Sequence, residues 1–140
     1  MISVSLDIKA TPATVWSCLT RQQHLLCWWG ENVSLDASPG GKFKEVWIDR
    51  DGTEKVTTGD VKAIEAGKKL HISWTDEDWE LPTDVVIRLD ASPQGTRLTL
   101  EHTGWENFMG DLMDSLREDH EAGWRSHLYS LKSYAERLKE

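Results

Sequence analysis

Five strand-like stretches follow one another through the middle of this chain, and one long helical stripe closes it. The stretches are Lys42–Ile48, Glu54–Glu65, Leu70–Thr75, Thr83–Ala91 and Thr96–Thr103. All but the long Glu54–Glu65 stretch place inward residues at period two, the mark of a half-buried strand. Turn signals separate them: Asp49-Arg50-Asp51-Gly52, Ala66-Gly67-Lys68 and Pro93-Gln94-Gly95. Short turns between evenly spaced strands predict one antiparallel meander. A sheet with one apolar face must cover it. Only Arg117–Leu138 can do so, because about 20 helical residues span about 30 Å. Its stripe is Leu116, His120, Trp124, His127/Leu128, Leu131, Ala135 and Leu138.

The start of the chain adds one strand and two short helices. Ile2–Lys9 alternates, with Ile2, Val4, Leu6 and Ile8 on one face. Thr11 is a helix N-cap and Pro12 suits the first helical position. A second short helix covers Gln22–Trp28, with Gly30 placed to end it. The predicted order is strand, two short helices, five strands, long helix: an α+β fold with a curved six-stranded antiparallel sheet. Glu106–Ser115 reads as a connection that is part helical. Gly59 inside its strand signals a bulge. Gly123 inside the last helix costs roughly 1 kcal/mol relative to Ala, which close approach to the sheet or room for a ligand would justify.

At 140 residues the chain is expected to form one domain, 1–140. Its net charge of −8 disfavours nucleic acid and anionic membranes as partners. No apolar run approaches a membrane span, and Met1-Ile2-Ser3-Val4 lacks signal-peptide character, so a cytoplasmic location is expected. Cys18 and Cys27 then read as thiols packed side by side in the core. No cofactor or metal is expected. His120 and His127 lie two helical turns apart, roughly 10 Å, too far to share an ion. No Ser has a nucleophile-elbow context, and no complete catalytic set is readable.

The chain holds 8 Trp but only 2 Phe and 2 Tyr. Such large rings are hard to close without gaps, and a Trp-lined gap suits a flat apolar or aromatic ligand. Strand alternation puts Phe43, Glu45, Trp47, Trp74, Ile87, Leu100 and His102 on the inner faces, the helix stripe adds Trp124, and Trp29, Trp105 and Phe108 are expected near the mouth. Trp79, in the acidic run Asp76-Glu77-Asp78-Trp79-Glu80, reads as exposed. Three polar groups, Glu45, His102 and His120, stand on apolar faces. A buried carboxylate must be paired, protonated or wet. Glu45 opposite a His could form an acid–base pair; a satisfied internal hydrogen bond is the simpler expectation for all three.

Several segments, in order, resemble one family. They are Thr11-Pro12-Ala13-Thr14-Val15-Trp16, Trp28-Trp29-Gly30, Gly40-Gly41-Lys42-Phe43, Gly59-Asp60-Val61 and Lys69-Leu70-His71-Ile72-Ser73-Trp74. Thr96–Trp105 and His120-Glu121-Ala122-Gly123-Trp124 complete the series. The chain resembles the family named for the activator of Hsp90 ATPase, within the START/Bet v 1-like superfamily. The resemblance implies a helix-grip fold with a cavity between sheet and last helix. Relatives bind lipids, sterols, plant hormones or polyketides, and some are cyclases. The implied functions are a binding protein for a small apolar or aromatic ligand, a chaperone-directed interaction protein, or a cyclase or hydrolase using Glu45 with His102 or His120. In eukaryotic co-chaperones this domain is joined to a separate Hsp90-binding N-terminal domain, and the expectation is that this chain carries only the second half. A homodimer through the sheet edge or helix ends is compatible with the sequence.

Overall fold

A computed structural model describes residues 1–108 and 110–138. The architecture is α+β, as the sequence predicts: a curved antiparallel sheet, two short helices after the first strand, and a long C-terminal helix. The strands are β1 (Ile2–Ile8), β2 (Val33–Leu35), β3 (Lys42–Ile48), β4 (Glu54–Glu65), β5 (Lys69–Asp76), β6 (Thr83–Ser92) and β7 (Gly95–Thr103). Their spatial order is β1-β7-β6-β5-β4-β3-β2, so the sheet has seven strands rather than the predicted six. The extra strand, β2, is three residues long. That is too short for alternation to register against the helix before it.

Helices α1 (Pro12–Thr20) and α2 (Gln22–Trp28) follow β1. The Thr11 hydroxyl accepts from the Thr14 amide at 3.2 Å, capping α1 as its sequence requires. Trp28 is buried and its indole donates to the Cys18 carbonyl at 2.8 Å, which ties α2 to α1. Cys18 is buried but Cys27 is exposed, which corrects the expectation of paired core thiols. The short α2 gives Leu25 and Trp28 to the core and leaves Cys27 on its outer side.

The last helix, α3 (Gly110–Arg137), starts about two turns earlier than its sequence pattern indicates. The connection predicted over Glu106–Ser115 shrinks to a 3-10 turn, Trp105–Asn107, and the residues beside it. Met109, within that connection, lies outside the described residues. The two halves of α3 differ. Trp124, Leu128, Leu131 and Ala135 are its buried residues, all in the C-terminal half. That half is also clamped to β1. Glu136 accepts from the Lys9 amide at 2.8 Å and from Lys132 at 2.7 Å, and Lys132 also reaches the Asp7 carbonyl at 2.7 Å. The N-terminal half overhangs β3–β5 with none of its described residues buried, and a cleft opens beneath it.

Candidate functional site

Register explains how the wall of the cleft is built. Glu45 on β3 pairs with Thr57 on β4, and Thr57 pairs with Asp76 on β5. Directly paired residues point to the same face, so the three form one polar row across three strands. Trp47, two residues along β3, stands on that face and donates from its indole to the Thr57 hydroxyl at 2.9 Å. Thr57 in turn donates to Asp76 at 2.5 Å. On the other side of the row, Phe43 pairs with Gly59. Gly59 has no side chain to separate neighbours, and Phe43 stacks on Trp74 at 5.0 Å.

The facing wall comes from α3. His120 Nε2 lies 3.7 Å from Asp76 Oδ2, and Arg50, in the β3–β4 turn, lies 3.6 Å from Asp119. These two pairs bridge the cleft. The space they span is about 600 Å³ and is open to solvent. Its sheet side includes Glu45, Trp47, Thr57, Trp74 and Asp76. Its helix side includes Leu116, His120, Gly123, Trp124 and His127.

Protonation follows from partners and burial. His120 Nδ1 faces the Leu116 carbonyl at 2.9 Å and must donate, since a carbonyl only accepts. That leaves Nε2 as the ring nitrogen turned toward Asp76. Burial raises the Asp76 carboxyl above the usual range, the Thr57 hydrogen bond and His120 lower it, and Asp78 and Glu77 raise it again. Glu45 accepts from the Trp29 indole at 3.1 Å. Burial raises its carboxyl first, the Trp29 bond lowers it, and the charge of Asp76 raises it. Both carboxyls therefore hold their protons more tightly than in water. Burial alone lowers His127.

The structure separates the sequence-selected residues into groups. Glu45, Trp47, Trp74, His120 and Trp124 meet around the cleft. Phe43, Ile87 and Leu100 are buried in the core, with Phe43 behind Trp74. Trp29 is wedged among Phe43, Trp74, Trp124 and His127, with ring centroids 4.9–6.4 Å apart. Trp105 is buried rather than set at the mouth, and Phe108 packs beside it. Trp79 is half-buried, packed on Phe108 at 4.8 Å and on His120 at 5.3 Å, which corrects its expected exposure. Its acidic neighbours stay in solvent while the ring folds back over the end of the sheet.

His102 is fully buried, and both of its ring nitrogens are committed. The Trp124 indole, which can only donate, reaches Nδ1 at 3.0 Å. Nε2 therefore carries the hydrogen and donates to the Thr83 hydroxyl at 2.7 Å, and Thr83 donates to the Trp74 carbonyl at 2.8 Å. Burial, then the charges of His120 and the N-terminus, pull its pKa down to about 3. His102 is a neutral brace between β7, β6 and α3, with no nitrogen free to act as a base on a ligand.

Asp76 and Thr57 escaped the sequence reading. Asp76 heads an acidic run that looks like a loop, yet it continues the alternation of Leu70, Ile72 and Trp74 by one step. Extending period two by that residue would have found it. Among the described residues no group of three or more His, Cys, Asp or Glu is placed to hold a metal ion.

The model of the family described as activator of Hsp90 ATPase homolog 1-like protein matches residues 9–136. The chain belongs to this family. No curated protein matches the chain. Solved structures with the same fold include protein CV1439 from Chromobacterium violaceum, 19% identical, covering 98% of each chain at a TM-score of 0.80. Protein MLL2253 from Mesorhizobium loti is 21% identical over 99% of this chain and 98% of that one, at 0.78. The Aha1 dimer from Colwellia psychrerythraea is 22% identical over 99% and 98%, at 0.76. At these identities the likeness establishes the helix-grip fold that family membership implies. Among the described residues no helix is long and apolar enough to cross a membrane.

Proposed function

We propose that this family member binds a small apolar or aromatic molecule in the cleft between β3–β5 and the first half of α3. One observation supports this reading above the others. Gly123 sits inside a 28-residue helix, and a Cβ built on it would meet no atom within 4 Å. Close approach of sheet to helix therefore does not explain the glycine; empty space in front of it does. The volume falls in the range of small-molecule sites, and Trp47, Trp74 and Trp124 supply apolar rings beside the polar row of Glu45, Thr57 and Asp76.

Intrinsic Trp fluorescence titrated with fatty acids, sterols and flavonoids tests the reading, with two Gly123 variants as controls. Gly123→Ala is expected to raise stability by about 1 kcal/mol through helix propensity while keeping any saturable quenching. Gly123→Phe is expected to fold and to lose at least about tenfold in affinity by filling the cleft. Quenching that survives Gly123→Phe unchanged places the ligand elsewhere and defeats the proposal.

A second reading, action on a chaperone, is supported by the family description alone. Stimulation of Hsp90 ATPase by the chain tests it, and no stimulation at saturating protein counts against it.

A further inference from the structure

Two half-buried carboxylates stand in one row on the floor of the cleft, and the basic groups around them already face a carboxylate. The walls and rim carry five carboxylates, Glu45, Asp49, Asp51, Asp76 and Asp119, against a single arginine. That arginine, Arg50, faces Asp119 at 3.6 Å. His120 faces Asp76. Lys55, which pairs with Trp47 in register, is held by Asp78 at 2.8 Å. Glu45 is left with a neutral partner, the Trp29 indole, and forms no salt bridge among the described residues. A half-buried carboxylate without a cation costs free energy that a bound cation would return.

The surroundings favour a cation in two further ways. Trp47, Trp74 and Trp124 line the cleft, and indole faces attract ammonium groups, most of all where water is reduced. The net charge of −8 draws cations toward the molecule and repels carboxylates.

We propose that the ligand of this cleft is an amine: a compact aromatic body among the three Trp rings, with its ammonium group received by Glu45. This rests on the binding reading above and narrows it. Fatty acids and other anionic lipids are excluded as its preferred ligands.

The test is isothermal calorimetry on the full chain at pH 7 with three matched probes: 1-naphthylmethylamine, 1-naphthalenemethanol and 1-naphthoic acid. The amine is expected to bind at least about tenfold more tightly than the alcohol, as a charge-assisted hydrogen bond gives, and the acid most weakly. Glu45→Gln keeps the side-chain shape and an acceptor for Trp29. It is expected to lower the amine's affinity about tenfold and the alcohol's much less, closing the gap. Thermal melts of the variant establish that it is folded. An alcohol or acid that matches the amine, or an amine preference that survives Glu45→Gln, overturns the amine class. If such a ligand is still blocked by Gly123→Phe, the cleft reading stands and only the amine falls. No heat from any of the three at millimolar concentration overturns both.

Discussion

Replacing His102 with Leu is expected to destabilise the protein by about 2–5 kcal/mol, through lost partners rather than lost volume. The substitution strands the buried Trp124 indole N–H and removes the acceptor for it, the donor to Thr83 and the link from β7 to α3. Each buried polar group left alone costs about 1–3 kcal/mol. His102→Gln, which can offer both a donor and an acceptor, should recover part of the loss.

The same residue sets an acid limb. Its folded pKa of about 3 lies below the ordinary 6.5, so in that interval the unfolded chain binds a proton that the native state refuses. Stability therefore rises with pH across the window, and it falls as pH drops from 6.5 toward 3. Urea midpoints measured from pH 7 to pH 4 should show this slope in the parent and a smaller one in His102→Leu. Equal slopes would mean that His102 is not the buried neutral brace described.

Gly59→Ala carries the second large effect, and its sign is opposite to that of Gly123→Ala. A Cβ at Gly59 would fall 1.9 Å from the Ser73 carbonyl oxygen and 2.8 Å from Ile72 Cγ2. A backbone oxygen inside a paired strand cannot step aside. The two strands must separate where Phe43 closes over Gly59 to meet Trp74. Melting should drop by on the order of 10 °C or more, or the chain should fail to fold. Gly123→Ala, with nothing within 4 Å, should melt higher than the parent. A harmless Gly59→Ala would refute the close approach of β4 to β5 and the wall built on it.

These two glycines also show what the sequence can reveal. Each was legible as an anomaly, a glycine within a strand and a glycine within a helix. Sequence could not tell which of them marks contact and which marks space. Gly59 within a strand signals a bulge, but the register shift between β4 and β5 falls later, between Val61 and Ala63. Period two brought out Glu45, Trp47, Trp74 and His102 because strand alternation is a local signal. The partners of His102 are not local: Thr83 is 19 residues away and Trp124 is 22. Whether a polar residue on an inner face is a brace or a site depends on those partners, and nothing in its own segment encodes them. Asp76 and Trp79 were hidden for a simpler reason. A dense acidic run reads as solvated loop, even when its first residue ends a strand and its aromatic member folds back onto Trp105 and Phe108.

The proposed ligand enters between β3–β5 and the first half of α3. Amide and indole N–H spectra of the 15N-labelled protein, titrated with 1-naphthylmethylamine, test it most directly. The cleft reading predicts shifts for the indoles of Trp47, Trp74 and Trp124 and for the Gly123 amide, with the indoles of Trp28 and Trp105 unmoved. Shifts concentrated on Trp28 or Trp105, or scattered evenly over all eight Trp, would contradict it.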